Sequence, residues 1–257
     1  MAYSGKVALI TGAASGMGQL SAWRLAAEGV SVAALDVNEA GLARTTQRAP
    51  MIRSFLCDVS DNDAVQQVVK EVEAELGPID RVVNAAAIAP TGRLLDQSVE
   101  RIQRVMEINY GGLVNVTKAA LPGMIERRRG DLIQYGSLAG WLPSPHFGAY
   151  SATKAAVVSF SETLFHECAG SGVRFVCVCP PVVETPLLDQ VQGDDGPPGF
   201  DKVARIQPEQ VLDAVEAALD RGELLAFPGR GTATLYRLRR YAPGLVWNLI
   251  GRAQRRA

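Results

Sequence analysis

The chain has 257 residues, 47% of them hydrophobic and 21% charged, with a formal net charge of −1. That composition describes a globular chain able to bury a sizeable core, and it excludes a disordered chain or a protein held to nucleic acid by global charge. Charge is unevenly placed: from Arg230 onward there are seven Arg and no acid, which leaves nineteen basic and twenty-seven acidic residues elsewhere.

Short β-branched runs alternate with helical patterns. KVALI (6–10) predicts a strand and Gly16 to Glu28 a helix; SVAALD (31–36) a strand and Asn38 to Arg48 a helix. MIRSFLC (51–57) predicts a strand, and Ser60 to Asp63 caps a helix running to Leu76, stopped by Gly77-Pro78. RVVN (81–84) is a strand, 100–129 one long helix ending at Gly130, DLIQY (131–135) a strand and 150–169 a helix. VRFVCVC (173–179) is a strand, 208–220 a helix and ELLAF (223–227) a last strand. Strict alternation implies a doubly wound α/β fold: a seven-stranded parallel sheet covered by helices on both faces, in one domain over 1–230. The irregular stretch 186–207, with GDDGPPG, reads as a lid.

The opening MAYSGKVALITG does not have the form of a signal peptide, and no run approaches the roughly 18 apolar residues of a membrane span. Cys57, Cys168, Cys177 and Cys179 lack metal spacing and read as reduced thiols, Cys177 and Cys179 as small core residues, so the expected location is the cytoplasm.

Thr11 to Gly18 reads TGAASGMG, placed between the first strand and the first helix. Glycines at 12, 16 and 18 let the backbone turn and approach a pyrophosphate at the helix N-terminus, although the spacing is not GxGxxG. Asp36 ends the second strand, where a carboxylate accepts from an adenosine ribose and repels a 2′-phosphate; a helix cap also fits it. With no Lys or Arg between Gly12 and Gly18, NAD is favoured over NADP. YSATK places Tyr150 and Lys154 on one face of a helix, a pattern that two solvated side chains would also satisfy when taken alone.

With TGAASGMG, Asp36, CDVS with Asp58, VNAAA with Asn84, Asn109, Ser137 in YGSLAG and YSATK in this order, the chain resembles a short-chain dehydrogenase/reductase over residues 5 to 228. The resemblance implies Tyr150 as general acid/base, its phenol pKa drawn down from about 10 by the Lys154 ammonium. Lys154 would also hold the nicotinamide ribose, Ser137 the substrate oxygen, and Asn109 a water linking Lys154 to solvent. It further implies cofactor contacts from Gly12, Ser15, Gly16, Met17, Gly18, Asp36, Asp58, Val59, Asn84, Pro180, Val183 and Thr185. Two places depart from the family pattern: NNAG reads Asn84-Ala85-Ala86-Ala87, which puts a positive φ at Ala87 in doubt, and the usual PG reads Pro180-Pro181.

By the same resemblance the loop after Ser137 lines a substrate pocket. It offers Leu138, Trp141, His146 and Phe147, and the lid adds Val182, Leu187 and Leu188. His146 also reads as an ordinary loop histidine. Few charges point there, so a bulky apolar alcohol or ketone is the expected substrate, of steroid, terpenoid or aryl-alcohol type, with NAD as cofactor and no metal. The competing readings are an NADPH-dependent ketoreductase and a non-catalytic scaffold that binds cofactor. The two long helices pair across a two-fold axis in the family, which implies a homotetramer or, failing that, a dimer.

The tail, 231–257, has Leu and Val at helical spacing around Pro243-Gly244, with Arg among them. Packing on a neighbouring subunit or over the pocket mouth is the leading reading, with Trp247 shielded. Peripheral contact with an anionic membrane is the second, and nucleic acid is set aside.

Overall fold

The computed structural model describes residues 5–191, 196, 197 and 199–254. Seven parallel strands form one sheet: β1 (Val7–Thr11), β2 (Ser31–Asp36), β3 (Ile52–Leu56), β4 (Arg81–Asn84), β5 (Gly130–Tyr135), β6 (Val173–Val178) and β7 (Leu225–Ala226). Their order is β3-β2-β1-β4-β5-β6-β7. The connections run outward in both directions from β1 and β4, which leaves a crevice at the carboxyl ends of those two strands.

Strand periodicity sends alternate side chains to opposite faces. Ala8 and Ile10 join a core with Ala22 and Leu25 of α1 (Gly16–Ala27) and Val211 and Val215. Val7 and Leu9 join another with Val65, Val69 and Val72. The remaining helices before the site are α2 (Glu39–Thr46), α3 (Asn62–Leu76), α4 (Val99–Met106), α5 (Gly112–Glu126), α6 (Gly148–Glu167) and α7 (Pro208–Arg221). Asp61 caps α3, its carboxylate accepting from the amides of Asp63 and Ala64. α8 (Thr232–Tyr241) and α9 (Pro243–Gln254) follow β7, with Pro243 opening the second of them.

Three elements differ from the sequence expectation. The long helix 100–129 is α4 and α5 joined through a π turn, Glu107–Gly111, that carries Asn109. β7 has two residues rather than five, because only Cys177 and Val178 pair with it and Pro228 ends the run. The segment 186–207 contains two 3₁₀ turns, Pro186–Gln190 and Phe200–Lys202, and is closed at its base by a bridge between Val183 and Ile206. GDDGPPG falls partly outside the described residues.

At the amino ends of the strands lies an ionic network. Arg81, 2% exposed, pairs with Asp131 at 2.7 Å and Glu216 at 2.6 Å. Arg174 pairs with Asp131 at 2.7 Å, and Arg129 with Asp80 at 2.6 Å. Asp80 also accepts from the Lys6 amide at 2.7 Å, which ties the start of the chain to β4. Arg81 is held above the usual guanidinium pKa: these carboxylates outweigh the desolvation that opposes its charge.

Candidate active site

The turn after β1 is shaped by what its glycines allow. Gly12 has φ +66°, and a Cβ there would lie 2.8 Å from the Ala86 amide nitrogen. Both the Ala85 and Ala86 amides donate to the Thr11 hydroxyl at 3.1 Å, which draws the end of β4 against this turn. Ser15 is the N-cap of α1 yet makes no side-chain capping bond. The first-turn amides of α1 are therefore left to the cavity beside them.

That cavity, about 500 Å³, is lined by Gly12, Ser15, Gly16, Met17 and Gly18 at the helix terminus. Asp36, Asp58, Val59 and Arg104 line its other part, and Thr185 closes over it. A Cβ on Gly16, φ +55°, would point at Thr185 from 3.6 Å. Asp36 accepts from the Ala14 amide at 3.0 Å and the Asn38 amide at 2.9 Å, which fixes its carboxylate at the rim. Asp58 accepts from the Ser60 amide and hydroxyl and from Arg104 at 2.8 Å. Desolvation opposes these bonds, but together they hold its carboxyl below the usual range. Uncapped amides, room for anionic oxygens and fixed carboxylates beyond them fit a dinucleotide, its pyrophosphate at the helix end and its ribose hydroxyls toward Asp36.

Asn84 does not reach this cavity. It is 4% exposed, and its amide donates to Gln134 at 3.0 Å and Thr117 at 3.3 Å, so it bonds β4 to β5 and α5 instead. Ala87 stays out of the left-handed region: the positive-φ non-glycine residues described are Arg128 and His146. The Gly-to-Ala departure is therefore accommodated without strain.

A second cavity, about 260 Å³, adjoins the first and shares Met17, Ala85, Ala87, Thr185 and Leu187 with it. Ser137, Tyr150 and Lys154 line it, together with Pro180 and Val183. Ser137 caps a 3₁₀ turn (Leu138–Gly140), its hydroxyl accepting from the Ala139 amide at 3.0 Å. The same hydroxyl favours the ionised form of the neighbouring Tyr150 phenol. Phe147 stacks on the Tyr150 ring with centroids 4.4 Å apart, and the Lys154 Nζ lies 5.5 Å from that ring's centre. Lys154 donates to the Tyr135 carbonyl at 2.7 Å.

Asn109 sits at the middle of the π turn and is 1% exposed. Its Oδ1 accepts from the Ile88 amide at 2.8 Å, while its Nδ2 donates to the Ile88 carbonyl at 2.9 Å and to Thr153 Oγ1 at 3.1 Å. Thr153 in turn donates to the Tyr150 carbonyl at 2.8 Å. The side chain thus clamps the β4 loop to the turn of α6 that bears Tyr150, and both of its donors are spent on protein rather than on the expected water.

The pKa expectation for Tyr150 is reversed in this structure. Burial pushes the phenol up to about 12, and the Ser137 hydrogen bond offsets only part of that. Burial also drives Lys154 down to about 8. The Lys154 Nζ lies beside the ring, and desolvation is the dominant cause of both shifts.

Leu138, Phe147, Val182, Leu187 and Leu188 line the second cavity as expected. Two residues do not. Trp141 turns away and meets the Tyr236 ring of α8 edge-on at 4.6 Å, within a cluster containing Val157, Val158 and Cys177. His146, at φ +65°, lines a separate surface hollow with Arg93 and Leu94. Reading the sequence alone missed Arg104, Val191, Phe200 and Gln190, whose Oε1 accepts from the Ala89 amide at 2.8 Å. An ion pair across 46 residues, such as Arg104 with Asp58, leaves no local signal. No group of His, Cys, Asp and Glu able to hold a metal occurs among the described residues.

The family model described as short chain dehydrogenase matches residues 6–196. A Sphingomonas protein described as 2-dehydro-3-deoxy-L-rhamnonate dehydrogenase (NAD(+)) is 37% identical over 190 residues, covering 74% of this chain and 76% of that protein. The probable oxidoreductase EphD of Mycobacterium tuberculosis is 31% identical over 252 residues; the match covers 91% of this chain but 43% of that longer protein. A crystal structure of a short chain dehydrogenase/reductase from Burkholderia phymatum in complex with NAD superposes with a TM-score of 0.85 at 26% identity, covering 95% of this chain and 96% of that one. The chain belongs to the short-chain dehydrogenase/reductase family of oxidoreductases.

Proposed function

We propose that this protein is an NAD-dependent oxidoreductase interconverting a secondary alcohol and a ketone on a bulky hydrophobic substrate of steroid, terpenoid or aryl-alcohol type. The observation that carries the reading is the convergence of Ser137, Tyr150 and Lys154 on the wall of an apolar cavity that opens into the dinucleotide cradle. The bound nicotinamide would supply hydride chemistry. The chain's own part is to hold and move a proton. In ketone reduction the neutral Tyr150 phenol donates its proton to the substrate oxygen and is left as phenolate; in alcohol oxidation the phenolate, formed by prior loss of that proton to solvent, accepts the hydroxyl proton. Ser137 bonds the same substrate oxygen and sets its distance from the phenol. Phe147, Leu187, Leu188, Val191 and Phe200 exclude water and give an apolar substrate body its contact area.

NAD is preferred in this reading because the Asp36 carboxylate sits at the ribose end, where a 2′-phosphate would meet like charge. A second reading, an NADPH-dependent ketoreductase, has one feature in its favour: Arg104 also lines the cradle. Its charge is already engaged by Asp58 at 2.8 Å and Glu107 at 3.5 Å, which weighs against it.

Residues 1–230 form the cofactor-binding and catalytic unit in this reading, with 231–257 an extension. The unit assembles as a homotetramer, or else a dimer, through α5 and α6. Light scattering is expected to give a multiple of the 27.4 kDa chain mass, and a monomer at micromolar concentration rejects the assembly. The function itself is tested by turnover of hydrophobic secondary alcohols, hydroxy acids and sugars with NAD, followed by nicotinamide absorbance. Turnover confined to the hydroxy acids or sugars rejects the substrate class, and preference for NADP rejects the cofactor assignment.

A further inference from the structure

The tail is strongly basic, and of the placements expected for it, the one over the pocket mouth is not what the structure displays. None of its described residues lines the substrate cavity. α8 is anchored from one side: Tyr236 stacks on Phe227 with centroids 4.7 Å apart and meets Trp141 edge-on. In α9, Val246 is buried. The other side of the pair leaves large apolar groups in solvent: Leu235 is 43% exposed, Tyr241 82%, Leu245 51% and Trp247 43%. The expected shielding of Trp247 is therefore absent from the chain by itself. Arg237 and Arg240 are exposed on α8, Arg240 donating to the Tyr236 hydroxyl at 3.3 Å, and the Arg239 guanidinium lies 5.8 Å from the Trp247 ring centre.

Whatever covers this face must take aliphatic and aromatic side chains together with a concentrated positive charge. An anionic bilayer surface does both: acyl chains receive Leu245 and its neighbours, Tyr and Trp sit at headgroup depth, and acidic headgroups pair the guanidinium groups. A second copy docked by the same face about a two-fold axis would oppose Arg to Arg, with no acidic residue from Arg230 onward to relieve it. The rest of the chain, with its excess of acid, is repelled by such a surface, so contact is confined to the tail. We infer that α8 and α9 form a docking surface for anionic lipid bilayers, which holds the enzyme at the membrane face without spanning it.

The test uses the full-length protein and sedimentation with vesicles of phosphatidylcholine alone or mixed equally with phosphatidylglycerol. The protein is expected to sediment with the mixed vesicles and not with phosphatidylcholine, and to be released by about 0.5 M salt, where the Debye length falls to a few ångströms. Combined Arg237→Gln and Arg240→Gln should weaken binding about tenfold or more. Trp247→Glu, on an exposed position, should abolish it while urea unfolding and turnover of a soluble substrate stay unchanged. No sedimentation, equal sedimentation with both vesicles, or binding indifferent to both variants overturns the inference. So does a tail that binds no vesicle while Trp247→Glu lowers the oligomer mass, which would make this face a contact between copies.

Discussion

Both ends of the sheet bury a cation, and they treat it in opposite ways. At the amino end Arg81 is 2% exposed and meets two carboxylates, which hold it charged. At the carboxyl end Lys154 is 3% exposed and donates to a carbonyl; among the described residues no carboxylate pairs with it, and its pKa falls to about 8. The first arrangement closes a fold. The second leaves an ammonium and a neighbouring phenol within reach of their neutral forms, as proton transfer requires. The contrast shows where stability is surrendered: the cost of burying Lys154 is offset only in part, by the Tyr135 carbonyl, where a ligand binds.

The comparison breaks first at Arg81. Arg81→Ala should destabilise by about 3 kcal/mol or more in urea unfolding, because it strands charge in the sheet's lower edge. The loss should lie near the low end for such pairs, since Asp131 keeps Arg174 and Glu216 is partly exposed. A loss under about 1 kcal/mol, the worth of a surface pair, would place the network among the dispensable ones.

Lys154→Met should do the reverse, stabilising the protein by about 3 kcal/mol at pH 7 while turnover collapses. The sign follows from the depressed pKa. Between the folded value of about 8 and the ordinary 10.5 the unfolded chain binds more protons, so wild-type stability rises with pH across that window. The advantage of Lys154→Met should therefore shrink from pH 8 to 10.5. Measurements up to about pH 9 stay below the range in which Tyr150 and Tyr135, both pushed to about 12 in the fold but ionising near 10 when unfolded, begin to dominate. A gain that does not depend on pH would assign the effect to packing.

Tyr150→Phe should lower kcat by about 100-fold or more with NAD affinity unchanged, because it removes only the proton-carrying oxygen. Retention of more than about a tenth of wild-type kcat rejects the role. The smallest effect concerns Asp36: NAD should be preferred over NADP by at least about tenfold in kcat/KM, or about 1.4 kcal/mol, and Asp36→Ala should narrow that ratio. Equal use of both cofactors by the wild type would remove Asp36 as the discriminator.

The parallel sheet was legible because its code is local. RVVN is β4 to the residue, and SVAALD is β2. Gly12 and Gly16 announced a turn that only glycine relieves, and both have positive φ. What the sequence hid depends on partners far along the chain. Asn109 within a helical pattern gives no hint of a π turn; the turn is held by Ile88 and Thr153. Trp141 stands among pocket residues in sequence, but Tyr236 draws it to the other side of the 3₁₀ turn. His146 precedes Tyr150 by one turn's length, yet its left-handed backbone places it at a different hollow. Asn84 matched a family motif, and its neighbours Gln134 and Thr117 consume its amide inside the fold.

The segment between Val183 and Ile206 has a further consequence. Its base is closed by main-chain bonds, from the Glu184 amide to the Ile206 carbonyl and from the Ile206 amide to the Val182 carbonyl, both 2.9 Å. Main-chain bonds do not depend on which side chains the segment carries. Leu188, Val191 and Phe200, which face the substrate cavity from this segment and do not line the dinucleotide cradle, can therefore be exchanged without disturbing the sheet or that cradle. The segment thus joins a replaceable apolar wall, Leu188, Val191 and Phe200, to a start, Thr185 and Leu187, that the dinucleotide cradle fixes, so a lineage can acquire new substrates through the first without altering the second.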